Sequence, residues 1–249
     1  NKELNTAALL IIGNEILSGK TQDTNLNFIA ERCNNLGHLL KEVRVVRDEK
    51  KQIIKSVKEL SRKYDNVFTT GGIGPTHDDI TAECIALAFK RKLVLNKTAH
   101  KLLINHYKNL DIELNESRLK MAKVPANSKL IKNSVSSAPG FKIKNVWVLA
   151  GVPKIMQAMF LEDIEPQLNK GKKIISKSIK IFKPEGDIAK FLSELQSNYK
   201  KIDIGSYPFY TPPSIGTTVI FRGRENKSLN NAIKLLCKYL TTAKIQFLE

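Results

Sequence analysis

The chain opens on an uninterrupted apolar run at residues 7–12, the length of a buried strand, and then turns polar through residues 13–22. Beyond that loop Leu26, Ile29, Ala30, Cys33 and Leu36 recur at helical spacing on one face, and Gly37 follows where a helix C-terminus favours glycine. The exchange repeats with a strand pattern at 39–46, an amphipathic helix carrying Ile53, Ile54, Val57 and Leu60, and a short buried strand at 66–70 that runs into Gly71-Gly72-Ile73-Gly74-Pro75. Residues 78–89 read as the next helix and 97–108 and 116–122 as two more; 146–150 is a further apolar strand, followed by a helix with Ile155, Met156, Met159, Phe160 and Ile164. Strands alternating with helices predict βαβ crossovers and an α/β fold with a mostly parallel sheet, whose function gathers at the carboxyl ends of the strands.

The polar stretch Asn169-Lys170-Gly171-Lys172 divides the chain into a domain at 1–169 and a smaller one at 170–249. In the second, 174–182, 201–206 and 215–222 alternate like strands, 187–198 and 228–242 are helical, and 244–248 is a last strand, giving a small α+β domain of β-α-β-β-α-β order. A length of 249 residues with 42% hydrophobic and 26% charged positions supports real cores and excludes a disordered or fibrous chain. The longest apolar run falls far short of the roughly 18 residues that cross a bilayer, so no membrane association is expected. Residues 1–5 lack an apolar export segment, and Cys33, Cys84 and Cys237 form no CxxC pair. A cytoplasmic protein with its thiols in the core is expected. The net charge of +17 attracts polyanions, but the lysines are spread, with the densest cluster at Lys170, Lys172 and Lys173. No arginine-rich tract accompanies them and the second domain has no GxxG loop, so nucleic acid is not the expected partner.

Chemistry is concentrated in Thr69-Thr70-Gly71-Gly72-Ile73-Gly74-Pro75-Thr76-His77-Asp78-Asp79. Glycines between a strand and a helix let backbone amides approach an oxyanion, and Gly71, Gly72 and Gly74 are the expected phosphate donors. Asp78 and Asp79 beside a phosphate would repel it unless a divalent cation bridged them, which makes both the candidate metal ligands and catalytic residues. The other reading is that Thr76 caps the helix, Asp79 completes an imperfect capping box, and both acids complement the helix dipole. A second constellation, Gly13, Asn14, Glu15, Ser18, Gly19, Asp23, Thr24 and Asn25, joins the first strand to the first helix at the same end of the sheet; there Asp23 or Thr24 reads equally well as an N-cap. Turns at Ala138-Pro139-Gly140 and Gly151-Val152-Pro153 complete the strand-end loops. No Ser-His-Asp elbow occurs, and His38, His77, His100 and His106 lack metal-ligand spacing.

The combination Gly13-Asn14-Glu15-Ile16-Leu17-Ser18-Gly19, Asp23-Thr24-Asn25, Thr70 to Asp79, Ala138-Pro139-Gly140-Phe141 and Gly151-Val152-Pro153 resembles the molybdopterin-binding domain of the competence/damage-inducible protein A (CinA) family. It is also similar to the N-terminal domain of animal FAD synthases, and Ile204-Gly205-Ser206-Tyr207-Pro208 resembles the small domain that follows in the CinA family. The resemblance implies a three-layer α/β/α domain and a pyrophosphatase dependent on Mg²⁺, Mn²⁺ or Co²⁺ that acts on ADP-ribose, FAD or a similar dinucleotide. Asp78 and Asp79 would then be the metal and phosphate residues, with Glu15, Ser18 and Asp23 completing a cleft shared with Thr70, Pro75 and Thr76. Related domains bind or adenylylate molybdopterin, so a pterin or nucleotide ligand without hydrolysis is the alternative. Relatives commonly form homo-oligomers. The deamidase domain of full-length CinA proteins is expected to be missing, and deamidation with it.

Overall fold

The computed structural model describes residues 5–211 and 214–249. Residues 1–4, most of the stretch read above for an export segment, lie outside the described residues. The chain divides into two compact units, Asn1–Gly171 and Lys172–Glu249.

The first unit runs β1 (Asn5–Ile12), α1 (Asn14–Leu17), α2 (Asn25–Asn35), β2 (His38–Val46), α3 (Lys50–Lys63), β3 (Asn66–Thr70), α4 (Thr81–Ala88), β4 (Leu93–Leu95), α5 (Lys97–Asn109), α6 (Glu116–Leu119), β5 (Lys123–Pro125), β6 (Lys129–Ile131), β7 (Gly140–Ile143), β8 (Val146–Leu149) and α7 (Pro153–Met159). Six strands form one sheet in the order β2-β1-β3-β8-β7-β6. The first four are parallel, and β7 runs antiparallel to β8 and to β6. Successive strand residues face opposite sides, so Ala8, Leu10 and Ile12 pack with Ile53 and Val57 of α3 and Ile85 of α4, while Ala7, Leu9 and Ile11 pack with Ile29 of α2 and Met156 of α7. A strand buried on both faces has no polar alternate positions, which is why β1 reads as a continuous apolar run. Leu9 and Leu10 are fully buried on opposite sides, and each such side chain contributes about 2 kcal/mol of burial free energy. The result is the three-layer α/β/α domain.

Three details differ from expectation. Helix α4 begins at Thr81 rather than at 78; the stretch 116–122 splits into α6 and a 3-10 turn over Lys120–Ala122; and β4 pairs antiparallel with β5 in a separate two-stranded ribbon. The cysteine expectation holds for buried Cys33 and Cys84, but Cys237 is only half-buried, with Sγ 3.3 Å from the Glu249 carboxylate.

At the amino ends of the parallel strands a polar network closes on itself. Trp147 Nε1 donates to Asn66 Oδ1 at 3.0 Å, Asn66 Nδ2 lies 3.5 Å from His38 Nδ1, and His38 Nε2 lies 2.8 Å from the Asn169 carbonyl. Asp65 accepts from the Thr6 amide and hydroxyl, both at 3.0 Å, and Asn145 Nδ2 donates to the Ser61 and Tyr64 carbonyls.

The second unit runs β9 (Ile175–Ile181), α8 (Glu185–Asn198), β10 (Asp203–Thr211), β11 (Ser214–Gly223), α9 (Asn226–Thr242) and β12 (Phe247–Leu248), the expected β-α-β-β-α-β order. Its sheet, β10-β11-β9-β12, is antiparallel throughout. Ile188 and Leu192 of α8 and Leu229 and Leu236 of α9 pack on one face, against Ile179, Val219 and Phe221.

Candidate functional site

At the carboxyl ends of β1, β3 and β8 the chain makes three close loops. Gly71 turns off β3 with φ 97°, and its amide donates to the Leu149 carbonyl at 3.2 Å. A Cβ on Gly71 would stand 2.1 Å from the Ile12 carbonyl oxygen, so β1 and β3 end in contact only because this position is glycine. Buried Thr81 then folds the loop back on itself. Its amide donates to the Gly72 carbonyl at 2.9 Å and its hydroxyl to the Gly71 carbonyl at 3.0 Å.

This closure sets where α4 starts. Before the helix, Asp79 already accepts from the Thr76 amide at 2.8 Å and from the Thr76 hydroxyl at 2.6 Å, and Asp78 Oδ1 also lies 2.6 Å from that hydroxyl. These bonds lie within the loop; the residue before α4 is Ile80, which makes no side-chain cap bond. The reading of Thr76 as helix cap is thereby corrected: Thr76 and both acids precede the helix. The acid in its first turn is Glu83, bonded to Lys50 at 2.6 Å. The expected phosphate role of the Gly71 amide is also corrected, because that N–H is committed to β8. The amides of Gly72 and Gly74 have no backbone partner among the described residues.

One hydroxyl proton is shared between the two carboxylates. The Thr76 hydrogen bond holds the Asp78 carboxyl below its ordinary range, helped by its own amide and by the Lys120 ammonium nearby. Lys120 Nζ donates to the Thr76 carbonyl at 2.5 Å, tying the 3-10 turn to the loop. Asp79 is half-buried, its carboxylate 2.7 Å from where a Gly74 Cβ would stand. A third acid, Asp48, follows β2 and accepts from the Asn14 amide at 2.8 Å. Burial pushes its carboxyl up against that bond, and the charges of Glu15, Asp78 and Asp79 push the same way. Glu15 folds over Gly13, its Oε1 2.5 Å from the position a Cβ would take. Carboxylates from three loops therefore share one electrostatic neighbourhood, and two unit charges about 4 Å apart repel by about 4 kcal/mol at an effective dielectric near 20. Among the described residues no three His, Cys, Asp or Glu side chains converge to hold a metal ion by themselves.

The remaining predicted residues divide between the site and its frame. Asn25, at the start of α2, is buried; its Nδ2 donates to the Gly151 carbonyl at 2.8 Å, while its Oδ1 and the buried Thr69 and Thr70 hydroxyls have no partner among the described residues. Gly151 also lets its loop approach the glycine loop, a Cβ there reaching to 3.2 Å from Gly71 Cα. Asp23 Oδ1 accepts from the Leu26 amide at 2.8 Å and so caps α2, whereas the Thr24 side chain makes no cap bond. Ser18 donates back to the Glu15 carbonyl at 3.2 Å, Gly19 takes a left-handed turn with φ 73°, and Pro75 is exposed. Pro153 starts α7 from an exposed position. Ala138 is held by Asn133, whose Nδ2 donates to its carbonyl at 2.8 Å; a Cβ on Gly140 would stand 2.3 Å from the Val148 carbonyl oxygen. Pro139 lines a cavity of 160 Å³ together with Gly74, Asp79, Lys120, Met121 and Phe141. Burial raises the Cys33 and Cys84 thiols to about 12 and about 11, which removes them as nucleophiles.

Asp48, Thr81 and Lys120 are the residues sequence reasoning missed. Asp48 follows the predicted strand at 39–46 by two residues, and that position at a strand end is the signal that could have found it.

A family model described as a probable molybdopterin binding domain matches residues 8–170, and one described as the middle domain of FAD synthase matches residues 173–249. A protein of Archaeoglobus fulgidus is 35% identical over 226 residues, 91% of this chain and 94% of that one. A protein of Sulfurisphaera tokodaii is 42% identical over 156 residues, 61% of this chain and 59% of that one. The crystal structure of CinA from Thermoplasma acidophilum superposes with a TM-score of 0.59 at 34% identity, covering 64% of this chain and 95% of that one.

Proposed function

The chain belongs to the molybdopterin-binding-domain family, in its CinA-type form, and from that premise we propose that the carboxyl edge of the first sheet is a metal-assisted pyrophosphatase site for ADP-ribose, FAD or a similar dinucleotide. The observation that carries this reading is the electrostatic coupling of Asp48 to Glu15, Asp78 and Asp79, acids that follow three neighbouring strands, together with Gly72 and Gly74 amides that have no backbone partner among the described residues. Acidic side chains drawn into one electrostatic neighbourhood favour a cation, and uncommitted amides favour an anion; a metal-bound phosphoanhydride supplies both.

Asp78 and Asp79 would hold a Mg²⁺, Mn²⁺ or Co²⁺ ion, which when bound supplies Lewis acidity to the phosphoanhydride oxygens. The chain's own residues do the rest. Gly72 and Gly74 donate amides to a phosphate oxygen, Thr81 keeps those amides in place through its bonds to the Gly71 and Gly72 carbonyls, and Lys120 lends positive charge beside Asp78. Asp48, its carboxyl raised by burial and by its acidic neighbours, is suited to accept a proton from an attacking water.

The test is chromatography and mass spectrometry of products from ADP-ribose, FAD, NAD and ADP with each metal, beside Asp78→Asn. AMP released by the native chain and absent in the variant supports the reading. No product from any pairing overturns it in favour of a molybdopterin or nucleotide binder without turnover.

A further inference from the structure

The second unit carries its unassigned chemistry on a sheet face. Helices α8 and α9 cover the side that holds Ile179, Ile181, Val219 and Phe221, so the alternate residues of these strands face away from both helices. Lys180 of β9 and Thr218 and Arg222 of β11 stand on that uncovered side. Tyr207 and Phe209 of β10 join them, while the intervening Ser206 bonds to Glu185 on the helix side.

The two aromatic rings lie down on the sheet. A Cβ on Gly205 would come within 3.0 Å of the Tyr207 ring, and one on Gly216 within 2.6 Å of the Phe209 ring, so each rests on bare glycine backbone. Tyr207 keeps 47% of its surface exposed. Lys180 Nζ stands 4.5 Å from the Phe209 ring centre, and the neighbouring Phe182 ring meets Phe209 edge-on. Two residues along one strand separate positions by about 6.8 Å, about twice the 3.4 Å rise of stacked bases along one strand. Two consecutive bases unstacked from each other match that spacing.

The unit Lys172–Glu249 contains fourteen Lys and Arg against six Asp and Glu. On the open face Lys180 and Arg222 outnumber Asp203, which lies across the ladder from Arg222. We propose that this face binds a single-stranded nucleic acid, stacking one base on exposed Tyr207 and a second on Phe209 as Lys180, which lies over that ring in the free chain, turns to a backbone phosphate alongside Arg222. Charge selects the polyanion over an apolar partner and the rings select one with unpaired bases, which reverses the expectation from the missing GxxG loop because the sheet register gathers these side chains on one face. The binding is independent of the phosphoanhydride chemistry of the first unit.

Fluorescence anisotropy of the full chain with labelled ten-nucleotide RNA and DNA strands of one sequence, over a salt series, tests it. Tyr207→Ala and Phe209→Ala should each weaken binding about tenfold, within the range for loss of one stacked base, at an unchanged salt slope because no charge is removed. Tyr207→Phe should restore it, and Lys180→Gln should reduce the slope by about one. A preference for the RNA strand identifies the 2′-hydroxyl as part of the contact; equal binding identifies stacking and phosphate alone. In the native chain, photo-crosslinks should map to the β10 peptide. The proposal is overturned by no binding at low salt, by affinity that survives both aromatic substitutions, which would make it the work of the +17 net charge alone, or by crosslinks confined to the first unit.

Discussion

At the amino ends of the parallel strands, Trp147, Asn66, His38, Asp65 and Asn145 all bond to partners within the same unit. At the carboxyl ends of those strands the charges of Glu15, Asp78 and Asp79 raise the electrostatic cost of Asp48, and Asn25 Oδ1 and Thr70 Oγ1 are buried without partners among the described residues. Both ends carry buried or half-buried polar groups. A network that closes repays the desolvation of its members and holds the fold, whereas one left open with like charges costs stability and persists for what it binds.

Substitutions at the two ends should therefore fail in opposite ways. Replacing Asp79 by Asn should lower kcat about 10²- to 10³-fold, as loss of one electrostatic group from a preorganised site does. Its melting temperature should stay level or rise, because a repulsive charge has gone. At the amino end, Asn66→Leu removes the acceptor of Trp147 Nε1 and the neighbour of His38. That should cost about 1–3 kcal/mol in urea denaturation with kcat and KM unchanged. A drop in kcat without a drop in stability there would erase the distinction between the two ends.

Thr81→Val probes the frame of the open end. Losing the hydroxyl bond to the Gly71 carbonyl should cost about 1 kcal/mol and lower kcat, since the same bond holds the glycine loop. The smallest effects are in pH dependence and have opposite signs for a closed and an open carboxylate. Glu42 is lowered to about 2 by bonds from Tyr64, Lys63 and Arg44. Its stabilisation is present above its ordinary value of 4.5 and is lost as pH falls from there towards 2. Glu42→Gln should thus melt earlier at pH 7 and match the native chain near pH 2. Asp48 is raised, so folding is penalised while it is charged. Asp48→Asn should melt slightly later at pH 7, and the gain should vanish as pH falls below its ordinary value of 3.8. Melting curves of both variants across pH check the two signs together.

Much of this was legible before the fold. The apolar run of β1, the glycine loop after β3 and the six elements of the second unit all carry strong local patterns. The start of α4 did not, because Thr76, Asp78 and Asp79 are individually good first-turn residues and only their mutual bonds hold them out of the helix. The ribbon of β4 and β5 is three residues per strand, too short for alternation to show. Asp48 sits in Arg47-Asp48-Glu49-Lys50, which reads as a solvated turn; it joins the site only because β2 lies beside β1. The rings of Tyr207 and Phe209 carry no local mark of the face they occupy until β11 sets their register.

The most direct measurement is AMP release from ADP-ribose titrated with Mn²⁺, run on the native chain, Asp78→Asn and Asp79→Asn with melting curves in parallel. Turnover that saturates with metal in the native chain and collapses in both variants, while their melting temperatures hold, is the predicted result. Turnover independent of metal, or undiminished in the two variants, would contradict the assignment of the acidic carboxyl edge as the catalytic site.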